Sequence, residues 1–472
     1  MTHLKRFPKI TLNTFLMFFL IASIVACSND DNNDNDDDGE MMQEETTIVD
    51  LAVATDDLSI LVQALTAANL VEALQGDGPF TVFAPTNDAF GDFLAANNFS
   101  SLDEVPTDLL TDVLLNHVVA GENLSSGLST GYISSLSTAG AEDRNLSLFI
   151  NTANGVEING VASVTAADVT ADNGVVHIVD AVIGLPNIVT HAVANPELSS
   201  LVGALTDGGN TTFTDLLSQD DTTFTVFAPV NAAFADFTNP NENDLANILS
   251  YHVIAGDAAY SNELMNMYVS TAATNEDGDS LSQYINTDDG VVINGSSTVA
   301  IADVVTTNGV VHAVGSVIDL PTVVTFAAAD PNFSTLVQAL TELTPSVDFV
   351  SVLSAQDGNG NDPFTVFAPT NDAFAALGNV PAEEDLIPVL QHHVIAGANI
   401  RSGDLTPNGD TQTPATLEGD TFTITLPGNG DNIADVIDGA GNDGIGIIAV
   451  DVQANNGVIH VLNQVLLPNT NN

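Results

Sequence analysis

The chain has 472 residues, 62 acidic side chains against five basic ones, a formal charge of −57 and a single cysteine. That balance excludes nucleic-acid binding, which needs Lys or Arg against phosphate, and direct attraction to anionic lipid. One cysteine excludes a disulfide framework within the chain, while a 44% hydrophobic composition with 22 Phe and no Trp is ample for several cores.

Lys5, Arg6 and Lys9 precede the apolar run Phe15–Val25, whose 11 residues are too few for a bilayer span of about 20 residues. The run ends in Ile24-Val25-Ala26-Cys27. This resembles a bacterial lipobox, in which the cysteine is lipid-modified and becomes the mature N-terminus. Residues 1–27 are therefore expected to be a lipoprotein signal, with Cys27 the lipidation site and the lipid the only membrane contact. Residues 28–45 carry nine acids and no base and read as an extended, self-repelling tether. An acidic run after a lipobox cysteine resembles the signal for the outer face of a Gram-negative outer membrane, so the expectation is an exported protein facing the cell exterior. Asp34, Asp36, Asp38, Gly39 and Glu45 formally match a calcium loop. An Asp-rich tract without flanking helices produces that match by composition, and the segment still reads as tether.

Beyond the signal only Arg144 and Arg401 are basic, and the acids are spread evenly along the chain. Cations, neutral or amine-bearing glycans and basic proteins fit such a surface. A saline medium, where self-repulsion is screened, also accounts for it.

Three signatures then recur in fixed order. A TVFAP run followed by Asn and Phe spans Thr81–Phe90, Thr225–Phe234 and Thr365–Phe374, with starts 144 and 140 residues apart. A His-Val pair follows at His117, His252 and His393, and an Asn-Gly-Val-(Val/Ile)-His box ends at His177, His312 and His460. A period near 140 residues exceeds the roughly 20–50 of a solenoid unit and matches one globular domain. The expected division is a tether to residue 45, then domains over 46–186, 187–321 and 322–472.

Each repeat opens with apolar residues at helical spacing: Leu58, Leu61, Val62 and Leu65; Leu198, Leu201, Val202 and Leu205; Phe333, Leu336, Val337 and Leu340. Asn195-Pro196 and Asp330-Pro331 predict an N-cap with Pro in the first turn, and Thr55 does the capping in the first copy. The TVFAP run alternates and is β-branched, so it predicts a strand that Pro85, Pro229 and Pro369 stop. A short helix from Asn87 and a second over Leu109–His117 follow. Strands are predicted at Leu146–Asn151, Val156–Asn159, Ser163–Val169 and Val175–Ile183, with Asn173-Gly174 as a hairpin turn. Helices first and strands second imply α+β domains, each with its helices on one side of a sheet.

The TVFAPTNDAF run, the intervening His and the NGVVH box resemble the two signature boxes and the histidine of fasciclin (FAS1) domains, across about residues 46–468. The resemblance implies three tandem β-rich wedges with helices packed on one side, and a role in extracellular adhesion to matrix, glycan or cell-surface partners. In repeat three a longer Gly-rich stretch between Pro407 and Gly446 departs from the pattern and reads as an extended hairpin. The family's Tyr-His pair survives only as Tyr251-His252. Asn116 and His392 occupy the equivalent position in the other copies.

Paired histidines suggest a metal, yet zinc generally takes three or four protein ligands. Only Asp168, Asp303 and Asp451 recur nearby, and they read as acceptors for backbone N–H groups in the turn. His117, His177, His252, His312, His393 and His460 are thus expected to be buried and structural, with no metal. Asp357–Asp362 resembles the start of a calcium loop but has Ala368 where the closing Glu belongs, so it reads as an acidic turn. Calcium is the one cofactor left open. No hydrolase, Walker or dinucleotide motif is present, and no enzyme activity is expected.

The leading reading is a lipid-anchored adhesion protein. The alternative is a glycan- or cation-binding capture lipoprotein, whose pocket would need aromatic walls, and five Tyr without Trp supply few. If Cys27 carries the anchor, Cys27→Ala releases the protein from the membrane fraction. Retention of the variant through a carbonate wash would refute the lipobox.

Overall fold

The structure is a computed structural model describing residues 45–209, 211–219, 221–355 and 363–469. The expected signal over residues 1–27 with Cys27, the expected tether up to residue 44 and the expected acidic turn at Asp357–Asp362 lie outside the described residues. Among those described, no helix is long and apolar enough to cross a membrane.

In repeat one, helix α1 (Ile48–Ala54) is followed by α2 (Ser59–Ala67) and α3 (Val71–Leu74). Strand β1 (Phe80–Pro85) leads into α4 (Asn87–Ala96) and α5 (Thr107–Asn116). Six strands complete the repeat: β2 (Val118–Ala120), β3 (Gly131–Ser134), β4 (Ser147–Asn151), β5 (Glu157–Ile158), β6 (Ala162–Ala171) and β7 (Gly174–Val179). They form one sheet of order β2-β1-β7-β6-β5-β4-β3, and the other repeats build the same seven-stranded order. The first strand pairs in parallel with the last, Phe80 opposite Gly174 and Pro85 opposite Val179. All other neighbouring strands of the sheet pair antiparallel.

Alternation along β1 explains two cores per repeat. Val82 and Ala84 face the helices and pack with Ile48, Leu61, Leu65, Phe90 and Leu114. Phe83 points to the opposite face and packs with Val119, Leu148, Ile150, Ile158 and Val179. Strands from both ends of the sheet share that second cluster, so the sheet curls over its own face where no helix lies. Each fully buried aliphatic or aromatic side chain there contributes roughly 1.5–3 kcal/mol.

The local readings need three corrections. α1 precedes the predicted opening helix and is capped by Thr47 in a capping box with Asp50. Asn187 and Thr322 repeat this cap. Thr55 makes no cap bond, because its hydroxyl donates back to Leu51 O instead. Asn195 and Asp330 do accept the predicted N–H bonds, from Glu197 and Asn332, but cap a 3-10 turn leading into the helix. Third, the Pro407–Gly446 stretch is not one long hairpin. It holds three short strands, Asp410–Gln412, Thr423–Thr425 and Ala434–Ile437, in the places of β3, β4 and β5. The extra Gly and Asn residues lengthen the connections and leave the pairing order intact.

The predicted hairpin is present, with Ala171 paired to Gly174 across a two-residue loop. Gly174, Gly309 and Gly457 have φ near +150°, and a Cβ on Gly309 would sit 2.0 Å from Phe224 O. Gly309→Ala must push the central parallel strands apart, and is expected to cost repeat two roughly 3 kcal/mol. Chemical denaturation of the variant checks this, and an unchanged midpoint would contradict it.

Candidate functional site

The recurring polar residues are brought together along the central strands, where each bonds backbone groups of its own repeat. His117 caps α5. Its Nδ1–H donates to Val113 O at 2.7 Å, and its Nε2 accepts Ile183 N–H at 2.8 Å. His252 does the same with Ile248 and Ile318, and His393 with Val389 and Leu466. An Nε2 that accepts requires the neutral ring, and burial pushes all three down to about 4, against an ordinary 6.5.

The terminal histidines use the opposite tautomer. His177 Nε2–H donates to Asn123 O at 2.9 Å and Nδ1 accepts Asp168 N–H at 3.2 Å, while the ring stacks on Phe83 at a centroid distance of 5.6 Å. His312 makes the same pair of bonds to Ala259 O and Asp303 N. His460 donates to Ile400 O at 2.8 Å, and its buried Nδ1 has no partner among the described residues. Burial lowers His312 and His460 as well.

Asp168, Asp303 and Asp451 serve a different loop from the expected one. Each sits at a β-bulge with φ near 60°. Asp168 accepts Ser125 N–H at 2.7 Å and Ser125 Oγ–H at 2.6 Å. Ser261 and Ser402 bond the other two. The Ser125 hydroxyl, then its N–H, holds Asp168 below the usual carboxylate range. The Asp168 carboxylate lies 3.9 Å from His177 Nδ1 and makes no bond to it, since that nitrogen already accepts from the backbone. Among the described residues no group of three or more His, Cys, Asp or Glu side chains could hold a metal ion.

Further residues of this framework escaped the sequence reading. Asn173, read there only as a turn former, accepts Ile48 N–H at 2.9 Å and donates to Leu74 O and Gly76 O. Asn308 and Asn456 repeat this. Asn87, the first residue of α4, ties the start of α2 to the start of α4 by accepting Ile60 N–H and donating to Asp56 O. Their signal was recurrence itself, at positions where the turn alone asks for less. Tyr251, the remaining family tyrosine, is fully buried. Its hydroxyl donates to Ser282 O and accepts Asn294 Nδ2–H at 2.8 Å. Asn116 and His392 are equally buried at this position.

The surface residues with most specific geometry lie where repeats meet. Tyr132 of repeat one packs into the helix-side core of repeat two, edge-on to His191 at 5.4 Å, and accepts from Asn195. Tyr268 repeats the arrangement against Phe326 and donates to Asp330 at 3.1 Å. Ser147 Oγ accepts Val305 N–H across the first joint, and Ser282 Oγ accepts Gln453 N–H across the second, both at 2.9 Å. Arg144 lies 3.9 Å over the Tyr260 ring and pairs with Glu263, and Arg401 pairs with Asp279. The only two Lys or Arg residues beyond residue 27 thus both bridge repeats.

The Fasciclin domain family profile matches residues 56–186, 196–321 and 331–468. The chain belongs to the fasciclin domain family, three copies in tandem, each an α+β unit with a seven-stranded mixed sheet. A Synechocystis sp. protein, Protein sll1483, is 44% identical over 138 residues, 29% of this chain and 72% of its own length. Human periostin is 27% identical over 443 residues, 89% of this chain and 47% of periostin. Pig transforming growth factor-beta-induced protein ig-h3 is 26% identical over 440 residues, 88% of this chain and 57% of that protein. The chain thus spans about half the length of these larger relatives. A solved FAS1 domain pair from the insect cell adhesion molecule Fasciclin I aligns at 19% identity and TM-score 0.38, covering 56% of this chain and 97% of that one.

The neutral histidines make stability depend on pH. Their folded values near 4 lie below the unfolded value of 6.5, so the unfolded chain binds more protons in between. Stability is fully present above about 6.5 and is lost as the pH falls towards 4, by about 3 kcal/mol per repeat. Urea midpoints should already fall between pH 6.5 and 5, above the range where exposed carboxylates protonate. A flat profile there would contradict the neutral-ring assignment.

Proposed function

We propose that the protein is a secreted adhesion protein, lipid-anchored through Cys27 at the outer membrane and facing outwards, that binds matrix, glycan or cell-surface partners through its repeated domains. The observation that carries this reading is the joined array. Three equivalent modules are fixed to one another by Tyr132, Tyr268 and the arginine bridges, so one surface is presented three times at set spacing. Linkage of this kind multiplies weak contacts without new ones.

The six clasp histidines and Tyr251 are assigned to the framework in this reading. They are buried and bonded to backbone, which leaves no ring available to a substrate or partner. Adhesion then falls to exposed loops and joint surfaces, under a field that favours neutral or cationic partners. No catalytic step is assigned.

Isolated domains 46–186, 187–321 and 322–472, each checked for folding by circular dichroism, can be immobilised beside the full chain and compared for adhesion of the producing cell's own surface or matrix. The array is expected to exceed any single domain by roughly 10²–10⁴. Equal adhesion by one domain and the array would reject repeated presentation.

A further inference from the structure

The second joint opens a cleft of about 530 Å³, within the usual range of roughly 300–1,000 Å³ for a small-molecule site. Tyr268 and Tyr284 lie in its wall, with ring centroids 4.8 Å apart and tilted by 46°. Asp330 faces it and is only 5% exposed. It accepts the Tyr268 hydroxyl at 3.1 Å and Asn332 N–H at 3.0 Å, so its carboxylate is held in place. The side chains of Asn332 and Asp372 line the cleft, are exposed, and make no hydrogen bond among the described residues. Ile448, 41% exposed, adds an apolar edge.

The first joint has the same backbone and a different lining. Phe149 stands where Tyr284 is, Asn195 for Asp330, Glu197 for Asn332 and Ala232 for Asp372. The common tyrosines, Tyr132 and Tyr268, account for joining the repeats. The added phenol and the buried carboxylate belong to the second joint, and the exposed carboxylate stands at Asp372 there where the first joint has Glu197 at a different position.

We propose that this cleft binds a pyranose sugar, uncharged or amine-bearing. Ile448 and the half-buried Tyr268 ring offer apolar contact to the sugar's C–H face, Tyr284 backs that ring from the core, and Asp330, Asp372 and Asn332 offer acceptors and a donor for hydroxyl or ammonium groups. The carboxylates and the acidic chain exclude sulfated or carboxylated sugars by like-charge repulsion. The inference stands apart from the adhesive reading, because a free sugar binds or fails to bind whatever the array adheres to.

The test is saturation-transfer NMR and calorimetric titration of the full chain with glucose, galactose, N-acetylglucosamine, glucosamine and glucuronate. At least one of the first four is expected to bind and glucuronate to fail. The double variant Tyr284→Phe/Asp372→Ala borrows the residues of equivalent positions in repeats one and two. It should keep the wild-type melting curve and weaken binding at least tenfold. Ile448→Arg, at an exposed position, is a second variant that should obstruct the cleft by a similar factor. No transfer to any of the first four sugars, glucuronate binding as well as they do, or undiminished binding in both variants would overturn the proposal.

Discussion

The close approach of Gly174 to Phe80 is the constraint on which each repeat depends. A Cβ there would meet Phe80 O at 2.0 Å, so only glycine lets the last strand lie beside the first. The parallel pair joins strands farther apart in sequence than any other strand pair of the repeat, and loop-closure entropy opposes it. The neighbouring residues offset that cost by cross-linking. Asn173 holds α1 and the end of α3, and His177 holds the loop after β2 together with the bulge at Asp168. The terminal box is therefore a closing device, and its five residues act on five different segments.

This explains which parts were legible beforehand. TVFAP showed as a strand because its alternation is local, and Leu58, Leu61 and Leu65 showed as a helix face because their spacing is local. α1 escaped because seven residues of mostly apolar sequence carry little periodicity, and its cap at Thr47 was overshadowed by Thr55. β2 and β3 are three and four residues long and exist through pairing with distant partners. The Asp168 bond to Ser125 spans 43 positions, so neighbourhood reasoning directed it to the nearer turn. The joints were hidden for the same reason: Tyr132 looks like an ordinary strand residue until the helix of the next repeat packs against it.

Charge acquires a local meaning from the structure. In a chain with so many carboxylates a lone guanidinium has many possible partners and gains little from any exposed one. Arg144 gains more from its place over the Tyr260 ring, where attraction to the aromatic face adds to the pair with Glu263. Arg401 pairs with Asp279 while Asn399 bonds the same carboxylate. Arginine in both places, with a planar head that stacks and forks, suits these joints better than a lysine would.

The tyrosine donated across each joint gives the array a direction. Repeat one lends Tyr132 to the core of repeat two, and repeat two lends Tyr268 and Tyr284 to the core of repeat three. The helix-side core of repeat one is completed from within. Stability is thus coupled between nearest neighbours, as in a one-dimensional chain of units, and the coupling is unequal at the two ends. A cut that removes repeat one leaves repeat two with an unfilled place in its interior, whereas a cut that removes repeat three leaves repeat two whole and exposes aromatic surface. Duplication of such a domain must preserve donor and acceptor together, and repeat three, which contains no tyrosine, has kept the acceptor and lost the donor.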